Sequence, residues 1–146
     1  YRLWQNKDQR HLIVDNPELV SKAVEETVRF DGSTQLLGRT AMEDIELHGK
    51  TIKKGQRIGL LMISANRDER KWELPDNFDI HRKTMGHTGY GFGVPACVGA
   101  ALARMETRVA FEEVLGRFPA YEVHESGLRR MYSPNVRGFT HVPISW

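Results

Sequence analysis

The feature that most constrains this chain is a glycine-rich segment that carries its only cysteine. Residues 89–99 read GYGFGVPACVG and lead into the amphipathic segment VGAALARMETRVAFEEVLGRF. A thiol placed just before a helix lies near the unpaired N–H groups of the first turn and the positive end of the helix dipole, and both favour the thiolate. Because the thiolate is the form of cysteine that binds metals, Cys97 is the first candidate for a functional residue.

The surrounding sequence predicts a mixed fold, mainly α with a small antiparallel β-sheet. Asn16 and Pro17 cap a predicted helix over 17–30, and short β-type runs at 35–41, 45–47, 51–52 and 57–63 predict the sheet. Irregular helical turns follow over 64–72, a long turn-rich segment over 74–96, and short strands over 121–146. A last helix is predicted to end near Pro119, and its periodic apolar residues are Val98, Leu102, Met105, Val109, Phe111, Val114, Leu115 and Phe118.

Length and charge exclude several classes of partner. The 146 residues suit one unit, and 21 Lys and Arg against 19 Asp and Glu are interspersed, so nucleic acid is not an expected partner. No apolar run approaches the roughly 18 residues of a membrane span, and a single cysteine fits the cytoplasm, where we expect the protein to reside. The opening YRLWQNKDQR contains no predicted element, and we interpret it as part of a longer protein.

The sequence leaves several roles open for Cys97. It is a small buried hydrophobe in one interpretation, or a nucleophile with His87 as its base in another. Zinc would need three more ligands at short spacing, and the chain has no second cysteine. GFGVPA fits the dinucleotide fingerprint but follows no apolar strand. A single thiolate suits haem iron, because the porphyrin supplies four ligands itself.

The glycines of this segment fit a flat ligand. Gly91 and Gly93 permit backbone conformations that other residues avoid, which would let the loop lie against a macrocycle. We expect the same of Gly99 in the first helical turn.

Together these residues resemble the cysteine signature of the cytochrome P-450 family: an aromatic residue, Gly, any residue, Gly, any residue, His or Arg, any residue, Cys, any residue, Gly. The resemblance extends from about Asn16 to Trp146, and it implies that residues 1–146 are the C-terminal haem-binding portion of a single larger domain. It implies haem b as the cofactor, Cys97 as the axial ligand, and further haem-binding roles for Arg39, Tyr90, Gly91, Gly93 and Gly99.

Two positions of the signature depart from the family pattern. Tyr90 replaces the usual Phe, and Pro95 stands where the family has a basic residue that binds a haem propionate. Proline removes a charge-assisted hydrogen bond and a backbone donor, so we expect weaker haem retention.

The E-x-x-R motif of the family is present as Glu26 and Arg29, which the resemblance implies form a buried structural ion pair. Asn77 stands where the family has the third, arginine member of this network. Arg82 either replaces that arginine or, as we expect, is a surface charge. His87 is interpreted as a structural histidine.

The resemblance implies a monooxygenase that uses dioxygen and electrons from a ferredoxin-type redox partner to oxidise a small organic substrate. Residues around Cys97 are similar to those of bacterial members that oxidise para-substituted aromatic acids by hydroxylation or O-demethylation. The family's distal helix is not in this sequence, so these residues alone are predicted to be inactive. A non-catalytic haem-binding protein and a degenerate haem-free remnant are the alternatives. Expected substrate contacts are Gln35, Leu37, Asn135 and Val136, and Arg104 and Arg108 are either docking charges for an acidic partner or solvated charges.

Overall fold

The computed structural model describes residues 1–94 and 96–146, and it confirms a mixed, mainly α fold. Two 3-10 turns, Pro17–Leu19 and Glu125–Gly127, accompany the helices and strands. The elements are α1 (Arg2–Gln5), α2 (Lys7–Asp15), α3 (Val20–Asp31), β1 (Leu36–Thr40), β2 (Ile45–Leu47), β3 (Lys50–Ile52), β4 (Arg57–Leu61), α4 (Met62–Ala65), α5 (Ala100–Arg117), β5 (Glu122–Val123), β6 (Arg129–Arg130), β7 (Phe139–His141) and β8 (Ile144–Ser145).

Helix α3 is the centre of the core, and its predicted position is confirmed. The Asn16 side chain accepts a hydrogen bond from the Glu18 N–H at 3.1 Å, and a 3-10 turn precedes the α-helix. The helix ends at Gly32, where a Cβ atom would lie 2.5 Å from the Val28 carbonyl oxygen. Its apolar face packs against α5 and the core, which contains Leu3, Ile13, Val20, Ala23, Val24, Phe30, Phe78, Ile80, Leu115, Tyr121 and Val123.

The prediction of one small sheet over residues 35–63 is wrong in its connectivity. β1 pairs with β4 in antiparallel register, and β2 pairs only with β3 across a tight turn in which His48 and Gly49 have positive φ. The tight turn sets the register of the β2–β3 hairpin locally. Among the described residues, no backbone hydrogen-bond ladder joins this hairpin to the β1–β4 pair. β5 with β8 and β6 with β7 form two further antiparallel pairs near the C-terminus.

Two helices, α1 and α2, lie within the first 15 residues, contrary to the expectation that the opening contains no element. Leu3 of α1 and Ile13 of α2 lie in the core. Arg10 is buried beside Tyr121: its guanidinium donates to the Tyr121 carbonyl at 2.6 Å and lies 4.7 Å from the ring centroid. Polar residues dominate this segment, so its apolar periodicity is too weak to indicate a helix.

Helix α5 is confirmed, and its apolar residues are covered by the core only toward its C-terminal end. Leu115 is buried, and Phe111 and Phe118 pack against the core. The core lies against the last turns only, so the other periodic apolar residues are exposed: Val98, Leu102, Met105, Val109 and Val114. Within residues 1–94 and 96–146, no helix combines the length and apolar character needed to cross a membrane.

Candidate functional site

The loop before α5 folds back on itself and presents Cys97. Gly91 and Gly93 have φ of 80° and 73°, which confirms that both need the left-handed region. The Cys97 N–H donates to the Tyr90 carbonyl at 2.7 Å, so the cysteine returns to the aromatic residue seven positions earlier. Gly99 caps α5 with φ of −86°, a value open to other residues, so the expected special backbone at Gly99 is wrong.

The surroundings of Cys97 fit a large apolar cofactor. Its thiol is free and exposed, which contradicts the buried-hydrophobe interpretation, and the neighbouring Phe92, Val94 and Val98 side chains are exposed as well. Among the described residues, no three His, Cys, Asp or Glu side chains converge to hold a metal ion. A metal bound by Cys97 would need its other ligands from a group such as a macrocycle, so the donor set fits haem better than zinc.

Gly89, at the start of the loop, packs so closely against α3 that no side chain would fit there. A Cβ atom on Gly89 would lie 2.4 Å from Val28 Cγ1 and 2.9 Å from the Val28 carbonyl oxygen. Next to it, Thr88 donates its backbone N–H to the side-chain oxygen of the buried Asn66 at 2.7 Å. The loop therefore starts in direct contact with α3 and with the residue that follows α4.

Four side chains form a cluster between α3, the loop and α5, which we call the Glu25 cluster: Glu25, His87, Tyr90 and Arg104. His87 Nδ1 accepts the Gly89 N–H at 3.1 Å, so the ring proton is on Nε2, which donates to Glu25 Oε2 at 2.9 Å. Arg104 donates through Nε to Glu25 Oε1 and through Nη2 to Oε2 at 3.1 Å. Its guanidinium carbon lies 4.5 Å from the Tyr90 ring centroid.

Burial acts to raise the pKa of the Glu25 carboxyl, but hydrogen bonds from Arg104 and His87 outweigh it and leave the pKa below its ordinary value.

The contacts of the Glu25 cluster change the interpretation of two residues, His87 and Arg104. His87 is 8% exposed and uses both ring nitrogens, which removes it as the base for a cysteine nucleophile. Arg104 is bonded to Glu25 and is therefore not a merely solvated charge, but its side chain is 43% exposed, so its role as a docking charge stays a prediction. Arg108 forms an exposed pair with Glu112 at 3.6 Å.

Glu26 and Arg29 meet on the buried face of α3, with both side chains 0% exposed. Arg29 Nε and Nη2 donate to the two Glu26 carboxylate oxygens at 2.7 and 2.8 Å. Arg29 Nη1 donates to the carbonyls of Asn66 at 2.8 Å and Pro75 at 3.1 Å. The pair thereby joins α3 to the long turn-rich segment that leads to the cysteine loop.

Arg82 belongs to this ion-pair network, so its interpretation as a surface charge is wrong. Its side chain is 11% exposed and its Nε lies 3.4 Å from Glu26 Oε1. Its Nη2 donates to the Asn77 carbonyl at 3.2 Å, and Arg29 Nη2 lies 3.3 Å from the same oxygen. Arg82 thus contacts Glu26 where the side chain of Asn77 does not, as in the alternative that the sequence left open.

Arg39 lies on β1, opposite Ile58 of β4, and is exposed. Its Nη1 donates to the Gly38 carbonyl at 2.8 Å. Together with Thr40, Gly59 and Arg57 it lines a surface recess of about 590 Å³. Arg57 was not singled out in the sequence, although its cationic group adds to the attraction of this recess for an anionic group such as a carboxylate.

Three of the four expected substrate residues lie close together: Gln35 is near Asn135 and Val136, although about a hundred positions separate it from them in the sequence. The Gln35 N–H donates to the Asn135 carbonyl at 2.9 Å, and Thr34 forms a β-bridge with Val136. Gln35, Asn135 and Val136 line a recess of about 340 Å³, and Leu37 does not. Pro95 lies outside the described residues, so its effect on haem retention stays a prediction.

Comparisons with known proteins agree on one family. Residues 5–144 match the family model of cytochrome P450. Cytochrome p450 CYP199A2 of Rhodopseudomonas palustris is 41% identical over 129 residues, which cover 88% of this chain and 31% of that protein. Cytochrome P450 CYP107DY1 of Priestia megaterium is 43% identical over 143 residues, covering 97% of this chain and 35% of that protein.

A solved structure shows the same correspondence in three dimensions. Cytochrome P450 CREJ in complex with (4-ethylphenyl) dihydrogen phosphate matches with a TM-score of 0.93 and 35% identity, over 99% of this chain and 36% of that one. The chain thus spans about a third of the length of the relatives it matches.

Proposed function

The chain belongs to the cytochrome P450 family, and on that premise we propose that the intact gene product is a haem-thiolate monooxygenase. The observation that carries the proposal is the exposed Cys97 thiol, presented by a loop in which the Cys97 N–H is bonded to the Tyr90 carbonyl at 2.7 Å. The described residues would provide cofactor-binding groups, and the 146 residues alone are proposed not to turn over substrate.

Haem b is the proposed cofactor, and three parts of the chain would hold it. Cys97 would be the axial ligand, and Arg39, in the recess that also contains Arg57, would bind a propionate. Gly91 and Gly93 keep the loop backbone free of side chains where it would face the macrocycle. When bound, haem supplies the activation of dioxygen that no amino-acid side chain can supply.

The proposed substrate is a small aromatic acid. The recess lined by Gln35, Asn135 and Val136 also contains Arg130 and Arg137, cations that favour a carboxylate. Arg137 faces Asp31 at 3.6 Å, whereas Arg130 lies over the Phe139 ring with its guanidinium carbon 4.0 Å from the centroid. Stacking leaves the N–H edge of Arg130 able to donate. The ligand named for CREJ, a para-substituted phenyl group with an anionic head, has the same general form.

Substrate binding tests this proposal directly. The intact holoprotein is titrated with a para-methoxybenzoate and with its neutral methyl ester, and binding is followed by the Soret shift. We expect the acid to bind more tightly than the ester, and Arg130→Met to weaken acid binding about tenfold while leaving the ester unchanged. Arg129→Met, on the same strand, is the matched control. Equal binding of acid and ester would contradict the aromatic-acid proposal.

Electron supply by a ferredoxin is the remaining part of the proposal, supported by the bacterial origin of the relatives. Product formation from the bound acid is measured with dioxygen and a reduced ferredoxin, and separately with a reduced flavodoxin. We expect oxygen-dependent product with the ferredoxin. A holoprotein that binds haem through Cys97 but forms no product with any donor would instead favour the non-catalytic haem-binding alternative.

A further inference from the structure

We propose that Glu25 is a positioning residue, which fixes the direction of Cys97 toward its metal by holding both ends of the cysteine loop. The inference rests on the proposed haem-thiolate function. Glu25 itself touches neither the thiol nor the expected cofactor position, so it would act through His87, Tyr90 and Arg104.

The first connection is to the start of the loop. Glu25 Oε2 accepts from His87 Nε2 at 2.9 Å, and His87 Nδ1 accepts from the Gly89 N–H at 3.1 Å. Gly89 itself lies against Val28, too close to admit even a Cβ atom. The carboxylate therefore fixes the ring orientation of His87, and His87 fixes the backbone at Gly89, where the loop packs against α3.

The second connection is to the far end of the loop. Arg104 lies near the start of α5. Its Nε and Nη2 donate to Glu25, and its guanidinium carbon lies over the Tyr90 ring, 4.5 Å from the centroid. The Tyr90 carbonyl accepts the Cys97 N–H at 2.7 Å. Movement of Arg104 would release the Tyr90 ring, and with it the carbonyl that holds the backbone of Cys97.

The charges explain why a carboxylate is needed at position 25. The Glu25 side chain is 26% exposed and receives one cation and one neutral imidazole, so the charges of the partly buried Glu25 cluster are balanced. A glutamine there would leave Arg104 without a counter-ion and would aim an amide N–H₂ at one of its two donors. Arg108, one turn further along α5, forms only an exposed pair with Glu112 and offers a matched control.

Two measurements on the intact protein test the inference, with Glu25→Gln, Arg104→Met, Arg104→Lys and the control Arg108→Met. The first is the fraction of the ferrous carbon monoxide complex that keeps a thiolate-type Soret band, compared at equal haem content. The second is amide hydrogen exchange of residues 86–94 and 96–99, which needs no bound haem. Exchange of the buried α3 amides reports in parallel whether each variant remains folded.

We expect Glu25→Gln and Arg104→Met to speed exchange of the loop about tenfold and to lower the thiolate-type fraction, because each breaks a charge-assisted contact. Arg104→Lys keeps the charge but not the planar fork, so it should fall between these variants and the parent. Arg108→Met should match the parent. Unchanged loop exchange in Glu25→Gln and Arg104→Met, or equal effects of Arg104→Met and Arg108→Met, would overturn the inference.

Failure of the proposed function has a different outcome. If the parent protein shows no thiolate-type band, Cys97 is not a haem ligand, and Glu25 cannot orient it toward haem iron. Loop exchange would then still show whether the Glu25 cluster holds the loop.

Discussion

Arg29 binds Glu26 through two parallel hydrogen bonds of 2.7 and 2.8 Å, and neither side chain is exposed to solvent. The remaining guanidinium nitrogen of Arg29 donates to the carbonyls of Asn66 and Pro75. The two side chains stabilise the fold mainly as a pair: Glu26 without Arg29 would keep only the longer contact with Arg82 at 3.4 Å, and Arg29 without Glu26 would be a buried charge without a carboxylate partner.

Removal of Arg29 should therefore be costly. We predict that Arg29→Met lowers the free energy of unfolding of the intact protein by about 3–5 kcal/mol, because the buried Glu26 loses both hydrogen bonds from Arg29 and keeps only the longer contact with Arg82. Urea unfolding measures the loss. The control is Arg117→Met, which breaks the exposed pair with Glu113 and should cost about 0.5 kcal/mol or less. A similar loss in both variants would contradict the assigned burial.

Gly89→Ala tests the contact between the loop and α3. The added Cβ atom would lie 2.4 Å from Val28 Cγ1 and 2.9 Å from the Val28 carbonyl oxygen. We predict a loss of stability of about 1–3 kcal/mol from this overpacking, partly restored by a second change, Val28→Ala. Gly38→Ala, where no atom lies within 4 Å of the new Cβ, should cost far less. Thermal unfolding of the parent, Gly89→Ala, the double variant with Val28→Ala and Gly38→Ala measures these losses of stability. Equal losses in Gly89→Ala and Gly38→Ala would contradict the assigned contact.

The sequence predicted the elements whose signals are local. The capped start of α3, the turn residues of the hairpin and the position of α5 all follow from short patterns, and so does the need for Gly91 and Gly93. The family match over 5–144 confirms the resemblance built on the cysteine signature and the E-x-x-R motif.

Long-range contacts account for what the sequence did not predict. Arg82 reaches Glu26 across 56 positions, and Arg104 reaches Glu25 across 79, so neither partner could be chosen from spacing along the chain. The apolar residues of α5 have helical periodicity, but periodicity alone does not show how many of them are covered by the rest of the chain.

The pH dependence of stability tests Glu25. Its folded-state pKa lies below the ordinary carboxyl value of 4.5, so its stabilising effect is full above that pH and is lost as pH falls through the folded-state pKa. We predict that Glu25→Gln is less stable than the parent by about 1–3 kcal/mol at pH 7. The difference should narrow below pH 4.5. Urea unfolding at several pH values measures it, with Glu112→Gln as the control, and a pH-independent difference would contradict the assigned contacts.

Haem release tests Arg39. We predict that Arg39→Met speeds transfer of haem from the intact protein to a haem-free acceptor globin about tenfold, since one charge-assisted hydrogen bond to a propionate is lost. Lys50→Met, which removes an exposed cation from β3, should leave the rate unchanged. An unchanged rate in Arg39→Met would assign propionate binding to other residues.

Spectroscopy of the ferrous carbon monoxide complex of the intact gene product tests the role of Cys97 most directly. The parent is compared with Cys97→Ser and with Pro95→His, which restores a donor type used by the family. We predict a thiolate-type Soret band in the parent that Cys97→Ser abolishes and Pro95→His keeps or strengthens. A band recovered only in Pro95→His would indicate a disabled copy, and the absence of haem from the parent and from both variants would contradict the assignment of Cys97 as a haem ligand.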